Sequence, residues 1–421
     1  MKAILVAINL KNDMYDLKYS LDELNNLANG LGYKICDTLT QTLEKPTPNF
    51  YIGSGKVEEL KTKIAAFDVK TVIFNDELSP SQLRNLENAL EVEIIDRSFL
   101  ILKIFEARAN TKEAKLEIKL AMNKYLLPRD ISLWGEDSRE GGSSGSLSNK
   151  GAGETKRELN KRYLQNEIIR IEKELLSIHK MKENQIKKRK RNQIPIVALV
   201  GYTNAGKSST MNTIINYLGK DTSKEVYAEN KLFATLNTYN RKLRYKNADF
   251  MLVDTIGFVS KLPHNLINSF KGTLQEIKNA DLILHVVDIS SRYYIEQISV
   301  TNQVLQEIGV TDIPMVYLLN KYDLYDDQNT QIVGIENIPY SNKTKLNIDL
   351  LLEKIYGFIK PINVNCSCTI PYTEAKLLHL IEEEGQIIKK EYLDDGVHLD
   401  ILVSIDLYKQ IEMYENEDII S

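Results

Sequence analysis

The stretch GYTNAGKSS, Gly201 to Ser209, restricts the folds open to this chain more than any other. It stands directly after the apolar run IPIVALV and directly before the helical stretch MNTIINYL. It fits G-x-x-x-x-G-K-S in a strand–loop–helix setting, the pattern of a phosphate-binding loop in a parallel α/β domain. Each part has a physical task. Gly201 and Gly206 let the backbone curl, so that the N–H groups of the loop Tyr202, Thr203, Asn204 and Ala205 face phosphate oxygens, helped by the helix N-terminus. Lys207 brings a compact positive charge to the β- and γ-phosphates, and the Ser208 hydroxyl is a ligand for Mg²⁺. A chance Gly-rich turn would not carry this context on both sides.

Four further elements follow in the order that guanine-nucleotide hydrolysis requires. Thr235 lies in LFATLN, 27 residues after Ser208. There a switch threonine, flanked by Phe233, Ala234, Leu236 and Asn237, can close on Mg²⁺ and the γ-phosphate. MLVDTIG ends a strand with Asp254, Thr255, Ile256 and Gly257. Asp254 can hold the metal through water, and the Gly257 N–H can sense the γ-phosphate. VYLLNKYD ends another strand with Asn320, Lys321, Tyr322 and Asp323. The Asp323 carboxylate can accept from both N1–H and N2–H₂ of guanine, which adenine cannot offer, so GTP is selected over ATP. Lys321 covers the base with its stem and Asn320 braces the site. Finally, PYSNK sets Ser341, Asn342 and Lys343 where backbone N–H groups can meet guanine O6. The expected metal ligands are Ser208 and Thr235, and the catalytic roles fall to Lys207, Thr235 and Gly257. A degenerate binder that does not hydrolyse is the remaining alternative.

Phe258 follows the glycine of DTIG, where many Ras-like switches carry a glutamine that orients the attacking water. Phenylalanine cannot do that. Either a partner stimulates hydrolysis or another group orders the water. Asn204 offers two readings of equal weight: it helps coordinate K⁺ as in some related GTPases, or it simply hydrogen-bonds the loop.

Outside this domain the chain divides by pattern. ILVAI at 4–8, TVIF at 71–74 and VEII at 92–95 alternate with helical spacings at Leu21, Leu24, Leu27, Ala28 and at Leu83, Leu86, Leu90, predicting a small parallel α/β domain over 1–97. Residues 98–193 turn helical, with a Gly/Ser-rich stretch at 140–153 that no core can use. Leu164, Ile168, Ile171, Leu175 and Ile178 then trace a narrow seam at spacings of four and three. A helical hairpin with a soft tip is expected, ending in a basic linker, KKRKR at 187–191, whose charges either are a solvated helix end or contact a polyanion. The Ras-like domain spans 194–361. A small α+β domain over 362–421 follows, with strands in NCSCTIPY, KKEYL and VHLDILVSI around one amphipathic helix. The fold class is therefore a multidomain α/β chain built around a P-loop G domain. A formal charge of −4 gives no global drive towards nucleic acid, so a polyanion must meet a local patch. Three cysteines form no disulfide framework, and no C-x-x-C or Cys/His cluster proposes zinc. No apolar run reaches membrane-spanning length. The opening MKAILVAINLKND reads as a buried strand, and the cytosol is the natural compartment.

The chain resembles the HflX-type GTPases over nearly its whole length. GYTNAGKS, LFATLN and above all DTIGFVSKLPHNLINSFKGTLQEI at 254–277 carry the resemblance, with YIGSGKVEEL at 51–60, KLEIKLAMNKYLLPR at 115–129 and GAGETKRELNKR at 151–162. It implies a four-part protein that associates with the large ribosomal subunit, its RNA and proteins, and splits stalled or stressed ribosomes. The chain is expected to be a monomer that binds GTP and GDP, with some association at the membrane left open. In the hairpin loop Ala152 replaces the family's proline, and Asn149 or Lys150 stands at its arginine position. Two other functions stay open: a regulatory switch acting on a protein or membrane partner, and an RNA-remodelling NTPase in the N-terminal domain. For the latter, GSGK at 53–56 lacks P-loop spacing and reads more simply as a tight strand–helix turn.

Overall fold

A computed structural model describes residues 1–10, 16–129, 156–191, 194–219, 239–246, 248–261, 276–325, 336–360 and 363–415. The switch segment 233–237 and the hairpin tip at 140–153 lie outside the described residues. The chain packs as two compact units, Met1–Leu243 with Asp249–Leu352, and Arg244–Ala248 with Glu353–Ser421.

The first unit opens with β1 (Lys2–Asn9), α1 (Leu17–Gly30), β2 (Lys34–Thr42), α2 (Ser54–Phe67), β3 (Thr71–Phe74), α3 (Pro80–Leu90) and β4 (Glu93–Ile95). They form a parallel sheet of order β2-β1-β3-β4. The buried runs in β1, β3 and β4 are those visible in sequence. Strand β2 escapes such a reading because it lies at the edge, where only Leu39 of KICDTLTQT is buried. Helix starts obey local chemistry. Asp16 caps α1 by accepting from the Tyr19 N–H, and Ser79 and Gln82 form a reciprocal capping box on α3 with Pro80 in its first turn. GSGK opens α2: the Gly53 N–H donates to Gln41 Oε1 at 2.8 Å, and Lys56 pairs with Glu59. The segment is a strand–helix turn.

Helix α4 (Arg97–Arg108) stops before Thr111, whose hydroxyl caps α5 (Lys112–Leu126). Helix α6 (Lys156–Arg191) returns along α5 and includes KKRKR, so that charge run ends a helix instead of forming a linker. The predicted seam is present: Leu164, Ile171 and Leu175 are buried, and Leu120 of α5 packs against the latter two. Lys112–Glu174 and Lys119–Glu167 ion pairs flank it.

The second sheet contains β5 (Ile196–Val200), β6 (Tyr239–Tyr245), β7 (Ala248–Asp254), β8 (Leu282–Asp288), β9 (Met315–Asn320) and β10 (Asn337–Pro339), in the order β10-β9-β8-β5-β7-β6. Around it lie α7 (Lys207–Tyr217), α8 (Tyr294–Glu307) and α9 (Ile348–Ile359). Ligands of such sheets bind beyond the carboxyl ends of the strands. GYTNAGKSS, DTIG and NKYD all start at such ends. One apolar cluster runs through this unit, from Leu5 and Leu24 through Phe105, Ile118 and Leu164 to Val200, Tyr202 and Phe258.

The other unit carries β11 (Asn363–Pro371), α10 (Ala375–Glu384), β12 (Gln386–Tyr392), β13 (Gly396–Ser404) and α11 (Ile405–Ile411) on an antiparallel sheet of order β11-β13-β12. Cys366 and Cys368 are free thiols buried in its core, and burial pushes Cys368 up to about 12, so it behaves as a packing residue. Among the described residues no helix is long and apolar enough to cross a membrane.

The seam makes a direct forecast. Ile171→Ala removes a fully buried branched side chain and should cost about 2–5 kcal/mol. Leu176→Ala, at a position 56% exposed, should change stability by no more than about 0.5 kcal/mol. Urea unfolding followed by circular dichroism measures both, and equal effects would contradict the seam.

Candidate nucleotide site

The phosphate side is built on glycine geometry. Gly201 has φ +146°, and a Cβ there would stand 2.2 Å from the Val286 carbonyl oxygen of β8. Gly206, at φ +104°, is the residue before α7, and a Cβ would strike Asn320 Nδ2 at 2.2 Å. Any side chain at either position forces the loop apart. Asn204 sits between them with φ +62° and is exposed at the crest of the loop. Thr203 and Ala205 are buried within it.

The loop is zipped to the segment after β7. The Thr203 N–H donates to the Phe258 carbonyl at 2.6 Å, and the Phe258 N–H donates to the Gly201 carbonyl at 3.1 Å. Phe258 itself is buried, so the residue in the glutamine position serves packing. Gly257 completes the close approach: a Cβ would lie 2.8 Å from Thr203 Cα and 2.9 Å from Lys207 Nζ. Lys207 is buried and donates to the carbonyls of Gly201 (3.0 Å) and Tyr202 (2.8 Å). Burial presses its pKa down to about 8, against the smaller opposing pull of Asp254. Nearby His285, the register partner of Val200, is held neutral, with burial and then Lys207 lowering it to about 3. Ser208 Oγ donates to Asp254 Oδ2 at 2.7 Å, and Thr255 Oγ1 donates to the Leu199 carbonyl at 2.6 Å.

The base side joins the same loop. Buried Asn320 donates through Nδ2 to the Ala205 carbonyl at 2.7 Å and accepts from the Asn342 N–H at 3.3 Å. Asn342 Nδ2 donates to Thr210 Oγ1 at 3.1 Å and to the Gly206 carbonyl at 3.3 Å. Lys321 takes φ +60°, and its Nζ donates to Asp288 Oδ2 at 2.6 Å, which holds the stem in place. Ser341, fully buried, donates to Asp323 Oδ1 at 2.6 Å and accepts from the Thr344 N–H. Tyr322 donates its N–H to the Tyr340 carbonyl, while Asp323 and Lys343 are exposed. Residues far apart in sequence, in NKYD and SNK, thus meet the phosphate loop. Ile256 is buried beside Gly257. Phe233, Ala234, Thr235, Leu236 and Asn237 lie outside the described residues.

One cluster beneath the site joins motif residues to others that carry no sequence signal. Tyr202 donates its hydroxyl to Glu23 Oε1 of α1 at 2.5 Å and accepts from the Ser260 N–H at 2.7 Å. Ser260 Oγ donates to Glu23 Oε2 at 2.6 Å. Arg97, 1% exposed, pairs with Glu23 and also donates to Asn75 Oδ1, Ser260 Oγ and the Ser260 carbonyl. Lys261 pairs with Asp76 alongside. Tyr202, Ser260 and Lys261 lie in runs whose pattern singled them out. Glu23, Asn75 and Arg97 look like ordinary surface polar residues until the fold brings them together.

Three family models match the chain: "GTP-binding GTPase N-terminal" over 18–106, "GTP-binding GTPase Middle Region" over 108–189 and "50S ribosome-binding GTPase" over 196–321. The chain is 39% identical to the GTPase HflX of Caldanaerobacter subterraneus subsp. tengcongensis, covering 98% of this chain and 93% of that one. It is 37% identical to the GTPase HflX of Escherichia coli K12, covering 94% and 91%. A crystal structure of a GTP-binding protein from Sulfolobus solfataricus with GDP aligns over 85% of this chain and 99% of that one, at 26% identity and TM-score 0.44.

The burial of Lys207 makes nucleotide affinity pH-dependent. In the free protein its proton leaves near pH 8, whereas phosphate oxygens favour the charged form, so binding takes up a proton above that pH. Affinity for GDP should be level below pH 8 and fall by about tenfold towards pH 9. Fluorescence titration between pH 7 and 9 reads this, and a level profile would show that the ammonium does not meet the nucleotide.

Proposed function

The chain belongs to the HflX family of GTPases, and on that premise we propose that its GTP cycle acts on the large ribosomal subunit and splits stalled or stressed ribosomes. GTP binding and hydrolysis follow from the family itself. The ribosomal target is supported by the match of residues 196–321 to the model described as a 50S ribosome-binding GTPase. It is also supported by the long charged α6, whose last residues are KKRKR, since Lys/Arg–phosphate contacts supply affinity for RNA.

In this reading the residues work as follows. The curled backbone from Gly201 to Gly206 receives the α- and β-phosphates, and Lys207 meets the β- and γ-phosphates. Gly257, pressed to within a Cβ's reach of Lys207, reports the γ-phosphate through its N–H. Ser208 and Asp254 set a hydroxyl and a carboxylate oxygen 2.7 Å apart at the loop, a hard-oxygen pair that fits Mg²⁺. Ser208 and Thr235 would hold the ion, Asp254 acting through water, and the ion would spread the charge that develops on the phosphates. Asp323 selects guanine, with Ser341 steadying one of its oxygens. Phe258 supplies no polar group, so slow hydrolysis alone and acceleration by the ribosome are expected. The exposed Asn204 is the residue to hold K⁺ if the reaction uses it. The four-part division at 97, 193 and 361 assigns this chemistry to the third part and the contact with the ribosome to the hairpin.

Asp323→Asn should lose preference for GTP and gain preference for XTP, because the amide presents a donor where guanine also donates. Competition binding with the two nucleotides reads the exchange. Unaltered preference for GTP would remove Asp323 from base recognition. For the target, ribosomes incubated with the protein and a non-hydrolysable GTP analogue should show a larger subunit fraction on sucrose gradients than with GDP. Lys207→Ala should abolish that difference. Identical profiles with both nucleotides would overturn the ribosomal reading while leaving the GTPase intact.

A further inference from the structure

Three side chains scattered in sequence converge in the helical hairpin. Glu113 and Glu117 stand one turn apart on α5, on the same face because four residues separate them. His179 faces them from α6. Its Nε2 lies 3.7 Å from Glu113 Oε1 and 3.9 Å from Glu117 Oε1, and the three atoms lie within 4.8 Å of one another. Both Nε2 distances are too long for a hydrogen bond. They come near the spacing of ligands around a common ion, since atoms held at about 2.0–2.2 Å in a tetrahedral shell sit roughly 3.3–3.6 Å apart. All three atoms are shielded from solvent, and the Glu117 side chain is completely buried.

The surroundings sharpen the point. Leu116, Leu120, Ile168, Ile171 and Leu175 form the apolar seam shared by the same two helices. Two carboxylates brought together beside such a seam repel each other and are costly to desolvate, and a cation between them offsets both effects. Lys112 and Lys119, on the same helix, pair with Glu174 and Glu167 across the hairpin. An imidazole nitrogen aimed between two carboxylate oxygens is a mixed N/O donor set, suited to borderline divalent metals and poorly suited to Mg²⁺ or Ca²⁺.

We propose that Glu113, Glu117 and His179 bind one divalent transition-metal ion of the Zn²⁺ class, with water completing the shell, and that the ion staples α5 to α6. Its ligands come from both helices, so the ion binds only when the hairpin is assembled and stabilises that state by mass action. The site is separate from the nucleotide site, whose ligands lie in the loop after β5.

The test uses full-length protein stripped of metal and nucleotide, so that the nucleotide's own ion does not enter the count. Zn²⁺ is titrated in competition with a chromophoric chelator, and bound metal is counted by mass spectrometry after gel filtration. Wild type should hold one more Zn²⁺ than His179→Ala, and millimolar Mg²⁺ should not displace it. Loss of a ligand should weaken this site by at least about a hundredfold, since losing an outer-shell partner alone costs about 10–100-fold. Zn²⁺ should raise the thermal midpoint of wild type and not that of the variant. Glu113→Gln, which keeps the side-chain shape, gives the same comparison if His179→Ala does not fold. Equal Zn²⁺ stoichiometry and affinity in wild type and variants would overturn the proposal, as would wild type that takes up no Zn²⁺ at micromolar concentration. Protonation of His179 that stabilises the hairpin without metal uptake would also overturn it, assigning the cluster to an ion pair.

Discussion

The nucleotide site depends on a short piece of backbone pairing between two segments that are not neighbours in sequence. The phosphate loop after β5 and the DTIG segment after β7 exchange hydrogen bonds through Gly201, Thr203 and Phe258. This pairing continues the parallel contact of β5 with β7 beyond the sheet, where Leu199 is already opposite Asp254. Because it exists, Ser208 meets Asp254, and Gly257 comes within a Cβ's reach of Lys207. The glycines are the condition for the pairing. With a side chain at Gly201 or Gly206, the loop would collide with β8 or with Asn320. Lys207 bears the consequence, a charge held in a dry pocket and answered in these contacts by two backbone carbonyls and the more distant Asp254.

Beneath that pairing lies the buried polar cluster of Glu23, Arg97, Asn75, Ser260 and Tyr202. Its physical weight comes from desolvation. A guanidinium and a carboxylate withdrawn from water are tolerable only when their remaining hydrogen-bonding positions are filled. Here Ser260 serves both members of the pair, and the Tyr202 hydroxyl satisfies Glu23. Removing one charged partner from such a cluster leaves the other uncompensated, at a cost of about 3–5 kcal/mol. The N-terminal sheet is therefore joined to the DTIG segment by groups that resist separation, and apolar packing through Tyr202 and Phe258 runs alongside.

Local chemistry made much of this legible beforehand. A strand followed by GYTNAGKSS and a helix is a local signal, as are the acidic and amide residues at strand ends in DTIG and NKYD, because each depends on a few consecutive residues adopting one backbone shape. The seam of α6 was legible for the same reason, since a repeat of three and four residues is a property of one helix. Strand β2 was not, because an edge strand with one buried side chain has no apolar run to show. The length of α6 was also hidden: KKRKR looks like punctuation, yet Lys and Arg are good helix formers and give the helix no reason to stop.

By itself, then, the sequence determined the order of the nucleotide-site motifs and their places at strand ends, because each is a few consecutive residues beside a buried run. It also marked the parallel N-terminal sheet through its buried runs, whereas the antiparallel order of the tail came from the structure. Only the tertiary structure decided which polar residues leave the surface. Glu23, Arg97 and Glu117 carry no local mark of burial, and their environment is the sum of contacts from elements tens or hundreds of residues away. Burial of a charge is a property of everything packed around it, and no stretch of neighbouring residues contains that information.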